Sequence, residues 1–275
     1  MISLFDRYGY SMTEPKRYLL IACAVTYREC YYCAAVCRNV IDIRLCDKGL
    51  HDIGAPKMCS KLQAELDAVD CSRYEAILLG YGLCNNGTIG LKARIPIVIP
   101  RAHDCITLLM GSKERYRQYF DANPGTYFWS SGWIERGTSS LVNEESTVSA
   151  MGFRSYEEYV KEYGEETANY LMETLGQGMK HYTKLAYIDT HVGDFPEYKA
   201  SARQQAAANG WEYEEISGST DVLMRLTNGE WNCEDFIVIN PGQTISPSYN
   251  DGILRLECPA NVEPTSAGDS LKAPA

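Results

Sequence analysis

Four side chains able to bind a soft metal ion fall at matching positions in this chain. Cys23 ends the apolar run 17–24 (RYLLIACA), Cys84 follows the run 75–80 (EAILLG), and His103 and Cys105 follow the run 95–100 (IPIVIP). Thiolate sulfur and imidazole nitrogen are the donors of tetrahedral zinc, so the set reads as a zinc site held by Cys23, Cys84, His103 and Cys105 or by three of them. In an extended or turning segment, residues two apart reach one centre, which suits His103 and Cys105. Four protein ligands would make the site structural. Three would leave a position for a substrate thiol, which on zinc becomes a nucleophile. Asp104 stands where a carboxylate could orient a ligand. The bland alternative is that each cysteine is plain core, since free cysteine is among the most buried residue types.

Other groups could join this chemistry. His51, beside Asp52, could supply a base or a ligand, or serve a loop. Glu29 could accept a proton near Cys23, or simply begin a helix with favourable charge. Gly80, Gly82, Asn85 and Gly87, in Gly-Tyr-Gly-Leu-Cys-Asn-Asn-Gly, could cradle a cofactor. The stretch lacks the spacing of a phosphate-binding turn, which favours a tight backbone turn beside the site. Cys30, Cys33 and Cys37 share one helical face. They could hold an iron–sulfur cluster with Cys46 as fourth ligand, or that face could pack on a sheet with cysteine as small apolar filler. Asp189, His191 and Asp194 follow another strand candidate, as Pro241-Gly242-Gln243 do a further one, and both loops could face the site across a cleft. No Ser-His-Asp arrangement or nucleophile elbow is found.

Alternating strands and helices must position these groups. Strands are expected over 17–24, 40–45, 75–80 and 95–100, with helices over 27–37 and 57–69. After a helical middle (112–120 and 156–175, split by a glycine-bearing loop), strands at 185–189, 211–216 and 236–240 alternate with helices at 196–209 and 221–226. The fold class is α/β: mainly parallel sheets flanked by helices, in two α/β halves with a helical middle segment. The boundaries read as an extension over 1–16, a first half with the site over 17–137, a helical segment over 138–180, a second half over 181–258 and a tail over 259–275. In such sheets ligands bind beyond the carboxyl ends of the strands, where the four candidate ligands fall.

Composition narrows the classes of function. The 275 residues are 45% hydrophobic and 23% charged, enough for a real core. A net charge of −10 leaves no basic stripe for phosphates, so no nucleic-acid partner is expected. No apolar run nears the roughly 18 residues that span a bilayer, so no membrane partner is expected. Residues 1–16 lack the basic-then-apolar order of a signal peptide, so the expectation is a cytoplasmic protein. Eleven cysteines, an odd number in a reducing compartment, then read as ligands or core and not as disulfides.

Two long motifs, Gly80-Tyr81-Gly82-Leu83-Cys84-Asn85-Asn86-Gly87 and Pro100-Arg101-Ala102-His103-Asp104-Cys105, resemble the DUF1638 family of bacterial and archaeal proteins. The likeness extends to Lys48-Gly49-Leu50-His51-Asp52, Gly125-Thr126-Tyr127, Ser131-Gly132-Trp133 and Tyr187-Ile188-Asp189-Thr190, and spans about residues 17–245. The resemblance implies corrinoid-dependent methyl transfer in anaerobes. The partners it implies are a small-molecule thiol or methylated substrate, together with a corrinoid protein. His103-x-Cys105 with a distant cysteine is also similar to the zinc motif of uroporphyrinogen-decarboxylase-like methyltransferases. There the distant cysteine follows the pair, whereas Cys84 precedes it, so this likeness is one of function only. Zinc methyl transfer is the leading expectation. A metal-stabilised binding module and an iron–sulfur redox protein are the alternatives.

Overall fold

The computed structural model of the chain describes residues 14–50, 53–137, 160–161, 164–165, 181–248 and 250–257. Its first sheet has the strand order β2-β1-β3-β4-β8, from β1 (Arg17–Cys23), β2 (Val40–Cys46), β3 (Ala76–Gly80), β4 (Ile97–Pro100) and β8 (Phe236–Ile239). The second sheet is β5 (Thr126–Ser130), β6 (Lys184–Asp189) and β7 (Glu212–Ser217), all parallel. A hairpin of β9 (Thr244–Pro247) and β10 (Leu254–Glu257) closes the described chain.

Strand periodicity explains the first sheet. Alternate residues of β1 go to opposite faces: Leu19 and Ile21 into one core, Leu20 and Ala22 into the other. Helix α2 (Ala55–Asp67) covers the first face with Met58, Leu62 and Leu66, which recur at helical spacing. Helices α1 (Tyr27–Val36) and α7 (Asp221–Asn228) cover the second with Cys30, Cys33, Leu223 and Leu226. Each large aliphatic buried this way contributes about 1.5–3 kcal/mol.

Helix α3 (Cys105–Met110) joins the two sheets. Its Leu108 packs with the first sheet, while Leu109 and Met110 pack with Ala186 and Ile188 of the second. Helix α4 (Lys113–Ala122) adds Tyr116 and Tyr119 to that second core, and α6 (Pro196–Asn209) covers its other face with Ala202 and Ala206.

The mixed α/β class with mostly parallel sheets is as expected. Three details differ. Residues 126–130 form β5 and Ser131–Gly137 forms α5, where a loop was expected; Thr126, Trp129 and Ser130 are buried, so sheet pairing outweighs the flanking glycines. Strand β8 runs antiparallel to β4. The sheets also exchange strands along the sequence, since β5 joins β6 and β8 returns to β4. The helix expected over 156–175 lies, apart from residues 160–161 and 164–165, outside the described residues, as do the tail 259–275 and residues 1–13.

Candidate functional site: a thiol-lined cavity

The carboxyl ends of β1, β2 and β3 and the loop after β4 open into a cavity of about 760 Å³, a size typical of small-molecule sites. From the first sheet it is lined by Cys23, Lys48, Gly80, Tyr81, Cys84 and Cys105. Across from them stand residues 124–128, Trp133 of α5, and His181 and Tyr182 ahead of β6. Tyr116 and Phe120 of α4 line this cavity and also an outer groove of about 820 Å³.

Two loops are joined to bring the thiols here. The N–H of Leu83 donates to the Ala102 carbonyl, and that of Cys84 to the His103 carbonyl, both at 2.8 Å. Gly82 makes this approach possible, because a Cβ there would lie 2.5 Å from the Ala102 oxygen and 2.8 Å from the Asp104 nitrogen. Gly80 and Gly87 are likewise pressed against Ala22 and Met58, at 2.6 and 2.3 Å from an added Cβ. Cys84, Asn85 and Asn86 then take φ of 46°, 54° and 65°. Three successive left-handed residues cost about 1 kcal/mol each, less for Asn, and the bonds to residues 102–103 hold them there.

After β4, the Asp104 carboxylate caps α3, accepting from the N–H groups of Ile106 (2.9 Å) and Thr107 (3.3 Å). Helix α3 therefore starts at Cys105, and the alternation that would have set His103 beside it is broken. His103 is exposed and faces the outer groove, its ring 6.2 Å from that of Tyr116. The structure thus brings Cys23, Cys84, Cys105 and Asp104 to one cavity and places His103 in the other. Among the described residues, no group of three or more His, Cys, Asp or Glu side chains stands at metal-binding spacing.

Cys84 and Cys105 are held as thiols. Burial is the first cause; with the Asp104 carboxylate and Cys23 adding to it, the Cys84 pKa is pushed up to about 12. Cys105 is raised well above its ordinary value by burial, then by Asp104, Cys23 and Cys84. Tyr81, 3% exposed, is raised by burial and by Cys23, Cys46 and Cys84 around it. Its hydroxyl meets the Cys46 sulfur only weakly and makes no hydrogen bond of normal geometry. The Nε1–H of Trp133 is also buried without a hydrogen-bond partner among the described residues. Over the face of that indole sits the Lys48 ammonium, 3.7 Å from the ring centroid.

The remaining candidates lie elsewhere. Glu29, 1% exposed, accepts from Thr190 Oγ1 at 2.6 Å and does not line the cavity. His51 and Asp52 lie outside the described residues. Asn85 is exposed, and of the four residues singled out for cofactor binding only Gly80 lines the cavity. Cys30 and Cys33 are fully buried in the core on one face of the first sheet; Cys46 belongs to the core on the other. Asp189 pairs with Lys199 at 2.6 Å, and His191 beside it is exposed, so neither faces the thiols. Sequence reasoning did not single out Lys48, Tyr81, Tyr116 or Trp133, although the first, second and fourth lie inside the motifs that carried the family resemblance.

No curated protein and no solved structure matches the chain. A family model described as a protein of unknown function matches residues 45–227, from the end of β2 to α7, which takes in the cavity lining apart from Cys23 and Val25. The chain belongs to the DUF1638 family.

Proposed function

We propose that this protein transforms a small molecule in the cavity between its sheets, with Cys23, Cys84 and Cys105 as the reactive groups. The observation that carries the reading is three thiols from three separate strand ends lining one cavity of ligand size. Core filler needs no such convergence of sulfur, even where core residues such as Leu50 and Met58 also reach the cavity wall.

Thiols held protonated by burial are inert, and a thiophilic ion is the group that exchanges their protons for bonds. Zinc suits sulfur donors and is the ion we propose. The donor chemistry fits; the spacing for three ligands is not formed among the described residues, so the side chains would have to close on the ion. When bound, zinc would supply Lewis acidity toward a substrate sulfur. The protein's own part is to present the thiols, exclude water and seat the substrate against Tyr116, Phe120 and Phe128.

The reaction class we put forward is methyl transfer to or from a small thiol, with a corrinoid as the other partner. This part rests on the family resemblance of the two long motifs. Anaerobic incubation with methylcobalamin and 2-mercaptoethanol tests it. The expected result is enzyme-dependent methyl thioether that disappears in Cys84→Ser and Cys105→Ser. Product formation unaffected by either substitution would contradict it.

A further inference from the structure

We propose that Ser217, His191 and Asp189 form a second reactive site, a serine nucleophile with its base and orienting carboxylate, which cleaves esters of small carboxylic acids. The proposal goes beyond the reading above and does not depend on the thiol cavity.

The second sheet lends the cavity the amino-terminal ends of β5 and β6. Its carboxyl ends, where parallel sheets carry their chemistry, lie at the other end of those strands. There Asp189 of β6 and Ser217 of β7 are register partners, which sets them side by side. The chain turns closely after Ser217. The Gly218 N–H donates to the Asp189 carbonyl at 2.6 Å, and a Cβ on Gly218 would lie 2.8 Å from Ile188 Cγ2 and from the Leu109 oxygen. After β6, His191 takes a left-handed backbone with φ of 60°, and its N–H donates to Asp189 Oδ1 at 2.8 Å. Such a backbone costs a non-glycine residue about 1 kcal/mol, which the bond to Asp189 offsets. The turn brings the imidazole over the strand ends, with Nε2 3.0 Å from Ser217 Oγ and Nδ1 3.5 Å from Asp189 Oδ1. No local pattern announces this group, since Ser217 and His191 are 26 positions apart.

These separations suit acyl transfer. Burial acts to raise the Asp189 pKa, but the hydrogen bonds from Lys199 and from the His191 N–H leave it lowered. An ionised Asp189 favours the His191 tautomer with its proton on Nδ1, so Nε2 accepts from the serine hydroxyl. Ser217 Oγ bonds to the ester carbonyl carbon while its proton passes to Nε2. The bond to the alcohol oxygen then breaks, and the departing alkoxide takes that proton. Water next attacks the acyl carbon, passing its proton to His191, and the serine oxygen leaves with it. The Arg115 guanidinium, which donates to the Ser217 and Met110 carbonyls, sets a positive charge near the anionic intermediate. Ser217 and His191 are exposed, so the ester arrives from solvent.

Labelling of the full chain by diisopropyl fluorophosphate, read by peptide mass spectrometry, and hydrolysis of p-nitrophenyl acetate test the proposal. The reagent is expected to label Ser217 ahead of every other serine, with fluoride leaving and the proton passing to His191. Ser217→Ala should abolish this labelling. Hydrolysis should fall about 100-fold in Ser217→Ala and in His191→Ala, and added imidazole should restore part of the rate to the latter. Asp189 is a positioning residue, so Asp189→Asn should lower kcat about tenfold or more with KM unchanged. That variant also loses the Lys199 ion pair; if it does not fold, the two exposed sites carry the test. Ser217 left unlabelled, or hydrolysis indifferent to Ser217→Ala or His191→Ala, would overturn the proposal and leave the cavity reading standing.

Discussion

The backbone N–H of Cys84 donates to the carbonyl of His103 at 2.8 Å, joining the loop after β3 to the loop after β4. Two residues beyond that carbonyl, Cys105 enters the cavity that Cys84 also lines, while the His103 ring faces the outer groove. This bond, its neighbour from Leu83 to Ala102 and the Asp104 cap together decide which of the candidate groups meet.

Gly82→Ala tests this junction. The new Cβ would press on the Ala102 carbonyl and the Asp104 nitrogen, and backbone cannot move aside as a flexible side chain can. We expect a loss of about 2 kcal/mol or more in urea denaturation. Accelerated alkylation of Cys84 and Cys105 should accompany it as the loops part. A fully stable variant with unchanged alkylation would mean that the close approach is unimportant.

Cys84 and Cys105 should be slow nucleophiles in metal-free protein. With Cys84 pushed up to about 12 by burial, iodoacetamide should label the exposed Cys233 first near neutral pH. Labelling of Cys84 should keep rising through pH 10 to about 12, as followed by peptide mass spectrometry. Rapid labelling of Cys84 at pH 7 would show an activated thiolate instead.

Glu29 offers a test of stability against pH. Its carboxyl is raised because burial outweighs the hydrogen bond from Thr190. A raised carboxyl pKa favours the folded state fully below the unfolded value, near 4.3, and that contribution is lost as pH rises through the folded value. Glu29→Gln cannot ionise and loses nothing over that range. Its melting temperature relative to wild type should therefore climb between pH 4 and pH 8, and a constant difference would refute this.

Glu135 behaves in the opposite sense. Its carboxylate accepts from Tyr27, from Arg28 in a two-pronged pair and from Tyr198 at 2.8 Å, tying α1 to α5 and α6. Burial acts to raise its pKa, but the hydrogen bonds from Arg28, Tyr27 and Tyr198 together leave it lowered. This stability is present above the unfolded value near 4.3 and is lost as pH falls through the lower folded value. Glu135→Ala, which leaves Arg28 without its partner in a half-buried place, should cost about 2–4 kcal/mol at pH 7. The cost should shrink in acid, and a cost unchanged at pH 3 would contradict the assignment.

Much of the first sheet could be read from the sequence, because buried parallel strands announce themselves as unbroken apolar runs such as those holding Leu20 and Leu78. The placement of Cys23, Cys84 and Cys105 at strand ends followed directly. Strand β5 was hidden: Gly125 and Gly132 frame a five-residue segment of which only three residues are buried, and its pairing with β6 comes from some 60 residues away. His103 was misdirected by local geometry, since two-residue alternation holds only while the chain stays extended and the Asp104 cap ends it. Trp133 and Lys48 matter through a contact between elements on opposite sides of the cavity, which no local pattern encodes.

Elemental analysis of protein purified without oxygen bears most directly on the central claim, that the three cavity sulfurs act together. The account expects about one zinc per chain in the wild type and in His103→Asn, with the metal lost from Cys23→Ser, Cys84→Ser and Cys105→Ser. Metal content unchanged by the cysteine substitutions, or a metal-free wild type, would contradict it.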